Sequence, residues 1–128
     1  MQIDLVNCLS PKGVWPGAIA EDKYGIIDEL VTRVMESECL HSFSALTTAE
    51  MAELVKQREA EQATGLERGV AFPHARVPGL NHAVLGFAIL SSPIDFQGQD
   101  KVPATFVCLM LVPDEQPTLA LTLMAKAI

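Results

Sequence analysis

The sequence has 128 residues and a mass of 13.8 kDa, about the length of one domain and enough to bury a hydrophobic core without disulfide or metal support. Hydrophobic residues make up 49% of it and charged residues 20%, a balance that excludes a disordered chain and a membrane-embedded one. Sixteen acidic side chains against nine basic ones give a net charge of −7, which argues against a general affinity for nucleic acid or anionic membranes. Any anion that the protein binds must therefore meet a local positive site.

The N-terminus and the cysteines indicate the compartment. The first ten residues, MQIDLVNCLS, lack the basic start and continuous apolar run of a signal peptide, and no apolar run reaches the roughly 18 residues of a membrane span. Cys8, Cys39 and Cys108 are far apart and show no CxxC spacing, which is typical of reduced thiols rather than of a disulfide framework or a metal site. We therefore expect a cytoplasmic protein with no direct membrane insertion.

Two amphipathic helices are predicted in the first half of the chain. The first spans residues 18–36, in which apolar side chains recur at helical spacing: Ile26, Ile27, Leu30, Val31, Val34 and Met35. The second begins at Thr47, because Thr47 and Glu50 form a capping-box pattern. Its apolar stripe continues with Met51, Leu54 and Val55. Both helices are expected to pack against another element.

Short apolar runs bounded by turn residues predict strands in the second half. Gly65 and Gly69 end the helical pattern, and a short strand follows in which Val70 and Phe72 occupy alternate positions. The runs at residues 83–90 and 104–112 are too short for most helices and rich in branched or aromatic residues. They predict buried strands.

A last helix is predicted from Pro117, a first-turn proline. It stops at Ile128 without a capping residue, so either the chain ends within a helix or it is a shortened form of a longer one. Helices followed by strands with little alternation fit a single α/β domain over residues 1–128. The expected architecture is a mixed β-sheet flanked by helices on both faces.

Of the three histidines, His74 stands out. It lies at the exit of the predicted strand in GVAFPHAR, residues 69–76. Pro73 fixes its own φ, lacks a backbone donor and favours an extended preceding residue, so the His74 side chain is aimed in a defined direction. His41 lies between the predicted helices and His82 at the start of a strand. A structural or surface role is favoured for both.

The residues around His74 suit phosphoryl transfer. A neutral imidazole nitrogen is a competent nucleophile near neutral pH, and Arg76 lies two positions along, on the same side if the strand continues. A guanidinium there can hold a phosphoryl group through paired charge-assisted hydrogen bonds. The spacing alone leaves a second interpretation open, in which His74 only forms a hydrogen bond at the end of the strand.

The stretch TGLERGVAFPHAR, residues 64–76, resembles the signature of the enzyme IIA components of the bacterial phosphoenolpyruvate-dependent phosphotransferase system. The branch is the fructose/mannitol type, which includes the nitrogen-regulatory proteins. The resemblance covers essentially the whole chain, with the early helix, QRE before TG and the PDEQ turn in the expected order. It implies a mannitol/fructose-type enzyme IIA fold in which the histidine of the PHA tripeptide, here His74, accepts phosphate from the phosphocarrier protein HPr or a paralogue.

The resemblance also implies roles for residues around the histidine. The arginine of the family's RE pair matches Arg58, which would hold the phosphoryl oxygens, with Glu59 as its neighbour. A solvated helix charge is the alternative for Arg58. Thr64 matches the threonine before the glycine, or is a plain turn residue, and Arg76 is a weaker candidate. No metal or cofactor is required, because the phosphoryl group arrives bound to a histidine of the donor.

One position departs from the family pattern. Many members carry a second histidine at the start of the helix after the PDE turn, and Thr118 stands at the matching position here. The departure leaves the nucleophile untouched. Either Thr118 supplies a hydroxyl in place of that histidine, or transfer is tuned differently.

Two functions from different classes follow. In the first, the protein is a transferase component that passes phosphate from HPr through His74 to a cysteine or histidine of an enzyme IIB in sugar uptake. In the second, it is a regulatory binding module whose phosphorylation state decides which target protein it contacts. The sequence is compatible with a homo-oligomer and does not name a sugar.

Overall fold

The computed structural model describes residues 9–38, 46–80, 82–98, 100–115 and Thr122. The predicted last helix, with Thr118 in its first turn, lies outside the described residues, as do His41, Cys8 and Cys39. The described residues form two α-helices, a short 3₁₀ helix (Glu67–Gly69) and five strands: β1 (Leu9–Ala18), α1 (Lys23–Glu38), α2 (Thr48–Glu61), β2 (Val70–Ala71), β3 (His74–Val77), β4 (Val84–Ile94) and β5 (Ala104–Pro113).

The five strands form one mixed sheet. β1 lies at one edge and pairs parallel with β4, and β4 pairs antiparallel with β5. β2 and β3 both pair parallel with β5. The predicted α/β class and mixed sheet are thus confirmed. β5 matches its predicted range closely, whereas β4 runs on through an exposed Ser-Ser-Pro stretch that the apolar pattern did not cover.

The sequence analysis missed β1. Its ten residues, LSPKGVWPGA, contain two prolines and two glycines, which break the alternation that marks a strand. Proline is tolerated on an edge strand because the outward N–H positions of that strand need no partner in the sheet. The position of β1 at the edge therefore explains a composition that otherwise indicates a turn.

Both described helices lie against the same face of the sheet. Along β5, Val107, Leu109 and Leu111 join the core that contains the apolar stripes of α1 and α2, whereas the alternate residues point away from it. The alternate residues belong to an opposite-face cluster, which consists of Phe72, Ala83, Leu85, Cys108, Met110 and Val112. The sheet is therefore buried on both faces around the middle of β5, with the described helices on one of them.

Helix α1 begins five residues later than predicted. Ala18 is the last residue of β1, and the carboxylate of Asp22 accepts the backbone N–H of Gly25 at 2.8 Å. This bond satisfies one of the unpaired donors of the first turn, so the helix starts at Lys23. The predicted apolar face is confirmed, since all six of its side chains are at most 3% exposed.

Helix α2 begins where its sequence pattern predicts. The Glu50 N–H donates to the Thr47 hydroxyl at 3.1 Å, and the Thr47 N–H donates to the Glu50 carboxylate at 3.0 Å. This reciprocal pair is the capping box. The helix ends at Glu61, which places Arg58 and Glu59 in its last turn.

Candidate functional site

His74 does not lie at the exit of a strand, as its sequence position suggested, but begins β3. Ala71 pairs with Val107 and His74 with Met110, so β2 and β3 follow β5 in one continuous register. Pro73 divides them because it has no N–H to give, although its carbonyl still accepts the Met110 N–H at 2.9 Å. The proline thus interrupts the ladder without displacing it, and the His74 backbone is held by pairing with β5.

The His74 ring has one hydrogen bond that fixes its tautomer. Nδ1 lies 2.9 Å from the Phe72 carbonyl oxygen. A carbonyl oxygen can only accept, so the neutral ring must carry its proton on Nδ1. The lone pair is then on Nε2, and the side chain is half-buried. The second interpretation of the sequence expected a hydrogen bond at the end of a strand; the bond to Nδ1 lies instead at the start of β3, and Nε2 keeps its lone pair.

The surroundings of His74 favour the neutral ring. Partial burial lowers the pKa of His74 below its usual range, and the positive charge of Arg58 lowers that pKa as well. The hydrogen bond to the Phe72 carbonyl and the charge of Glu59 oppose this change. The net direction is downward, so near neutral pH the imidazole carries a free electron pair.

The cationic side chains near His74 lie on two elements. Arg58 is half-buried in the last turn of α2 and forms no ion pair with any carboxylate in the described part of the chain. Arg76 is exposed and lies on the same side of β3 as His74, two residues along, as the sequence predicted. Because Arg58 influences the His74 ring and has no anionic partner there, its guanidinium is free to meet an incoming anion.

The edge of the sheet formed by β2 and β3 explains how the end of α2 comes close to His74. Residues 64–66 run antiparallel to the outer side of β2: the Phe72 N–H donates to the Thr64 carbonyl at 3.2 Å, and the Leu66 N–H donates to the Val70 carbonyl at 2.7 Å. An isolated bridge joins Gly65 to Ala71. The end of α2 is therefore tied to the β2–β3 edge within a few residues of His74.

Glu59 and Thr64 form the most enclosed part of the site. Glu59 is 1% exposed, and Thr64 donates to its carboxylate both through its N–H, 2.8 Å from Oε2, and through its hydroxyl, which bonds Oε1. Lys23 completes the arrangement, with Nζ 3.3 Å from Glu59 Oε2 and 2.6 Å from Gln97 Oε1. Thr64 is thus more than a turn residue.

Sequence reasoning missed Lys23 and Gln97. Lys23 precedes the apolar stripe of α1, where a lysine is usually a solvated charge, and Gln97 lies in the loop between β4 and β5. In the sequence, Lys23 is 36 residues from Glu59, and Gln97 is 74 residues from Lys23. No local pattern marks a contact between positions so far apart.

Other residues weighed in the sequence have structural explanations. His82 is exposed just before β4. Cys108 is buried, and this burial raises the pKa of its thiol to about 12, so it is protonated and unreactive. Within the described ranges, no three His, Cys, Asp or Glu side chains come together as a metal site requires. Nor does any described helix have the length and apolar character to cross a membrane.

The described fold is a mixed sheet with two helices on one face, and His74 lies at the sheet edge with its tautomer set by a hydrogen bond. Residues 7–127 match the family described as the phosphoenolpyruvate-dependent sugar phosphotransferase system, EIIA 2, and the chain belongs to this family. Members of the family are components of a phosphotransferase system. The resemblance noted in the sequence is thereby confirmed.

Two nitrogen regulatory proteins are similar to the chain in sequence, and a third protein shares its fold. A nitrogen regulatory protein of Bradyrhizobium diazoefficiens is 28% identical over 110 residues, which cover 86% of this chain and 68% of that protein. The crystal structure of the nitrogen regulatory protein IIA-Ntr from Neisseria meningitidis is 26% identical, with a TM-score of 0.81 over 96% of this chain and 81% of that one. Enzyme IIAMTL of Escherichia coli, solved in complex with phosphorylated enzyme IIBMTL, is 14% identical and shares the fold, with a TM-score of 0.72 over 91% and 78% of the two chains.

Proposed function

We propose that this protein accepts a phosphoryl group on Nε2 of His74 from an HPr-type phosphocarrier protein. The observation that supports this most directly is the hydrogen bond from Nδ1 to the Phe72 carbonyl. It keeps the proton on Nδ1 and leaves the electron pair on Nε2, on a ring that burial holds neutral.

In the proposed transfer, the one bond that forms is matched by one bond that breaks, and no metal takes part. The Nε2 electron pair forms a bond to phosphorus as the bond between phosphorus and the donor's histidine nitrogen breaks, and the donor ring recovers its electron pair. His74 becomes more positive as the bond forms. Its Nδ1–H then donates more strongly to the Phe72 carbonyl, which stabilises the phosphorylated ring.

Arg58 supplies the local positive charge that an acidic protein needs for this product. The phosphoryl group adds close to two negative charges to a protein that already carries −7. Arg58 has no carboxylate partner within the described residues, and a guanidinium binds phosphoryl oxygens in pairs. We assign it the role of holding those oxygens, and Arg76 an auxiliary role on the same side of β3.

Two destinations for the phosphoryl group are supported. The family's sugar phosphotransferase description favours transfer onward to an enzyme IIB in sugar uptake, and enzyme IIAMTL of Escherichia coli forms a complex with phosphorylated enzyme IIBMTL. The nitrogen regulatory relatives, which cover most of this chain, favour a regulatory role in which phospho-His74 controls contact with a target protein. Both belong to the cytoplasm and both require His74.

The test is to incubate the protein with phosphoenolpyruvate, enzyme I and HPr and to follow the label. We expect one phosphoryl group, labile in acid and stable in base, which disappears in His74→Ala and persists in the matched control His82→Ala. Addition of candidate enzyme IIB proteins then separates the two destinations, since only transport requires onward transfer. Labelling that survives His74→Ala would show that the nucleophile is another residue.

A further inference from the structure

Lys23 is a buried cation that the proposed transfer does not use. It is 8% exposed, and its ammonium contacts the Glu59 carboxylate and the Gln97 side-chain amide. A buried ion pair is weak evidence for stability, because apolar side chains of similar volume often serve as well. The ion pair between Lys23 and Glu59 does, however, fix the position of the Glu59 carboxylate.

A continuous series of hydrogen bonds leads from Lys23 to the His74 ring. Glu59 receives Lys23 on one oxygen and Thr64 on both. The Thr64 carbonyl receives the Phe72 N–H at 3.2 Å, and the Phe72 carbonyl receives His74 Nδ1 at 2.9 Å. Each bond holds the group that makes the next one.

We propose that Lys23 is a positioning residue for phosphoryl acceptance, which holds Glu59 and thereby fixes the Phe72 carbonyl that selects the Nδ1–H tautomer of His74. The inference rests on the proposed function for its consequence, since the tautomer leaves Nε2 as the acceptor. Lys23 itself contacts neither the ring nor the phosphoryl group.

The loop between β4 and β5 contributes the second anchor of Lys23. Gln97 has a φ of 57°, in the left-handed region, and its backbone N–H donates to the Asp95 carboxylate at 2.7 Å. The left-handed backbone disfavours a non-glycine residue, so local bonds must hold it. Lys23 therefore joins three segments: the start of α1, the end of α2 and this loop.

The experiment measures the tautomer and the transfer separately. In Lys23→Met the buried Glu59 carboxylate loses its cation. We expect it to leave its position, so that the segment from Thr64 to Phe72 loses the anchor that Glu59 provides. We expect ¹⁵N NMR of the unphosphorylated protein to show a larger Nε2–H population of His74. We also expect the rate of phosphorylation by phospho-HPr to fall about tenfold or more, as misplacement of a reacting group causes, with KM changed by less than about twofold.

Lys56→Met is the matched control. Lys56 Nζ lies 2.9 Å from Asp28, so this ion pair also joins α2 to α1, but on the surface of the protein. The same substitution there should leave both the tautomer and the rate unchanged. An equal effect of the two variants would overturn the proposal, because it would mean that any contact between the helices acts in this way.

The double variant Lys23→Met/Glu59→Gln tests whether Lys23 acts as the counter-ion of the Glu59 carboxylate. A neutral glutamine needs no cation to stay buried and can still accept the Thr64 N–H, so we expect the Nδ1–H tautomer to recover, even if Lys23→Met alone fails to fold. Loss of that tautomer in the double variant, or a slower rate in Lys23→Met with the tautomer unchanged, would overturn the proposal. If the wild type accepts no phosphate at all, the proposed function fails, while the NMR comparison still decides what Lys23 positions.

Discussion

In the proposed transfer, His74 is the nucleophile and Arg58 supplies the positive charge. The hydrogen bond to Phe72 leaves the electron pair of the neutral His74 ring on Nε2, and the lowered pKa favours that neutral ring. The two effects are separate, because the bond orients the ring whereas burial sets its charge. The positive charge of Arg58 lowers the pKa of His74 and so disfavours the imidazolium, and in the proposed transfer the same charge would attract the phosphoryl oxygens.

Arg58→Ala should slow phosphorylation of His74 or hasten hydrolysis of phospho-His74 by about one to two decades, because each charge-assisted bond lost is worth roughly 1.5–3 kcal/mol. Arg58→Lys should recover only part of the loss, since an ammonium cannot bind two oxygens side by side. The measurements are the rate of phosphorylation by phospho-HPr and the hydrolysis half-life. Gln57→Ala, at an exposed position of the same turn, is the control. Wild-type rates in Arg58→Ala would mean that Arg58 is a solvated helix charge.

The turn between α2 and β2 is fixed by close contact with the loop between β4 and β5. Arg68 has a φ of 65°, and its N–H donates to the Asp100 carboxylate at 2.9 Å. Asp100 also accepts the Val102 N–H, and these two backbone bonds hold the pKa of its carboxyl below the usual range. Gly65 has no room for a side chain, since a Cβ there would lie 2.6 Å from the Phe96 carbonyl oxygen. The two segments thus fit together only with glycine at position 65.

Gly65→Ala should therefore lower the free energy of unfolding by about 1–3 kcal/mol, the usual cost of forcing atoms into a filled space. Gly25→Ala is the matched control. Its added Cβ would meet Ala20 and Asp22 at an ordinary 3.5 Å, and alanine favours a helix, so it should raise stability by up to about 1 kcal/mol. Chemical denaturation of both variants measures the difference. A Gly65→Ala protein as stable as Gly25→Ala would show that the two loops can separate freely.

The folded protein as a whole should lose stability in mild acid through His74. Burial is the largest cause that lowers the pKa of His74, followed in the same direction by the charge of Arg58. The unfolded chain, in which the pKa is about 6.5, therefore binds more protons than the folded one. The contribution of neutral His74 to the stability of the folded state is therefore fully present above a pH of about 6.5. It is lost as the pH falls through that value towards the lower pKa of the folded state.

His74→Gln should remove this part of the pH dependence, which denaturation at several pH values between neutrality and mild acid would measure. The other titrating groups contribute to both proteins, so the difference between the two curves belongs to His74. We expect the wild type to lose stability more steeply than the variant as the pH falls. Parallel curves would contradict the lowered pKa.

Some features were predictable because neighbouring residues alone decide them. The capping box at Thr47 and Glu50 involves residues three apart, and the buried face of α1 follows from helical spacing. The strands of the apolar runs were predictable for the same reason. β1 was not, because its prolines are acceptable only at a sheet edge, and no property of the stretch itself places it there.

The sequence by itself determined the α/β class, the family and the candidate nucleophile, because these rest on local spacing and on a continuous signature. Only the tertiary structure decided which nitrogen of His74 carries the proton, since that depends on where the Phe72 carbonyl lies once β3 pairs with β5. It alone also showed that Lys23, Glu59 and Gln97 meet. Residues 36 and 74 positions apart are brought together by packing of the chain, and the burial of Lys23 and Glu59, which strengthens their interaction, exists only in the folded protein.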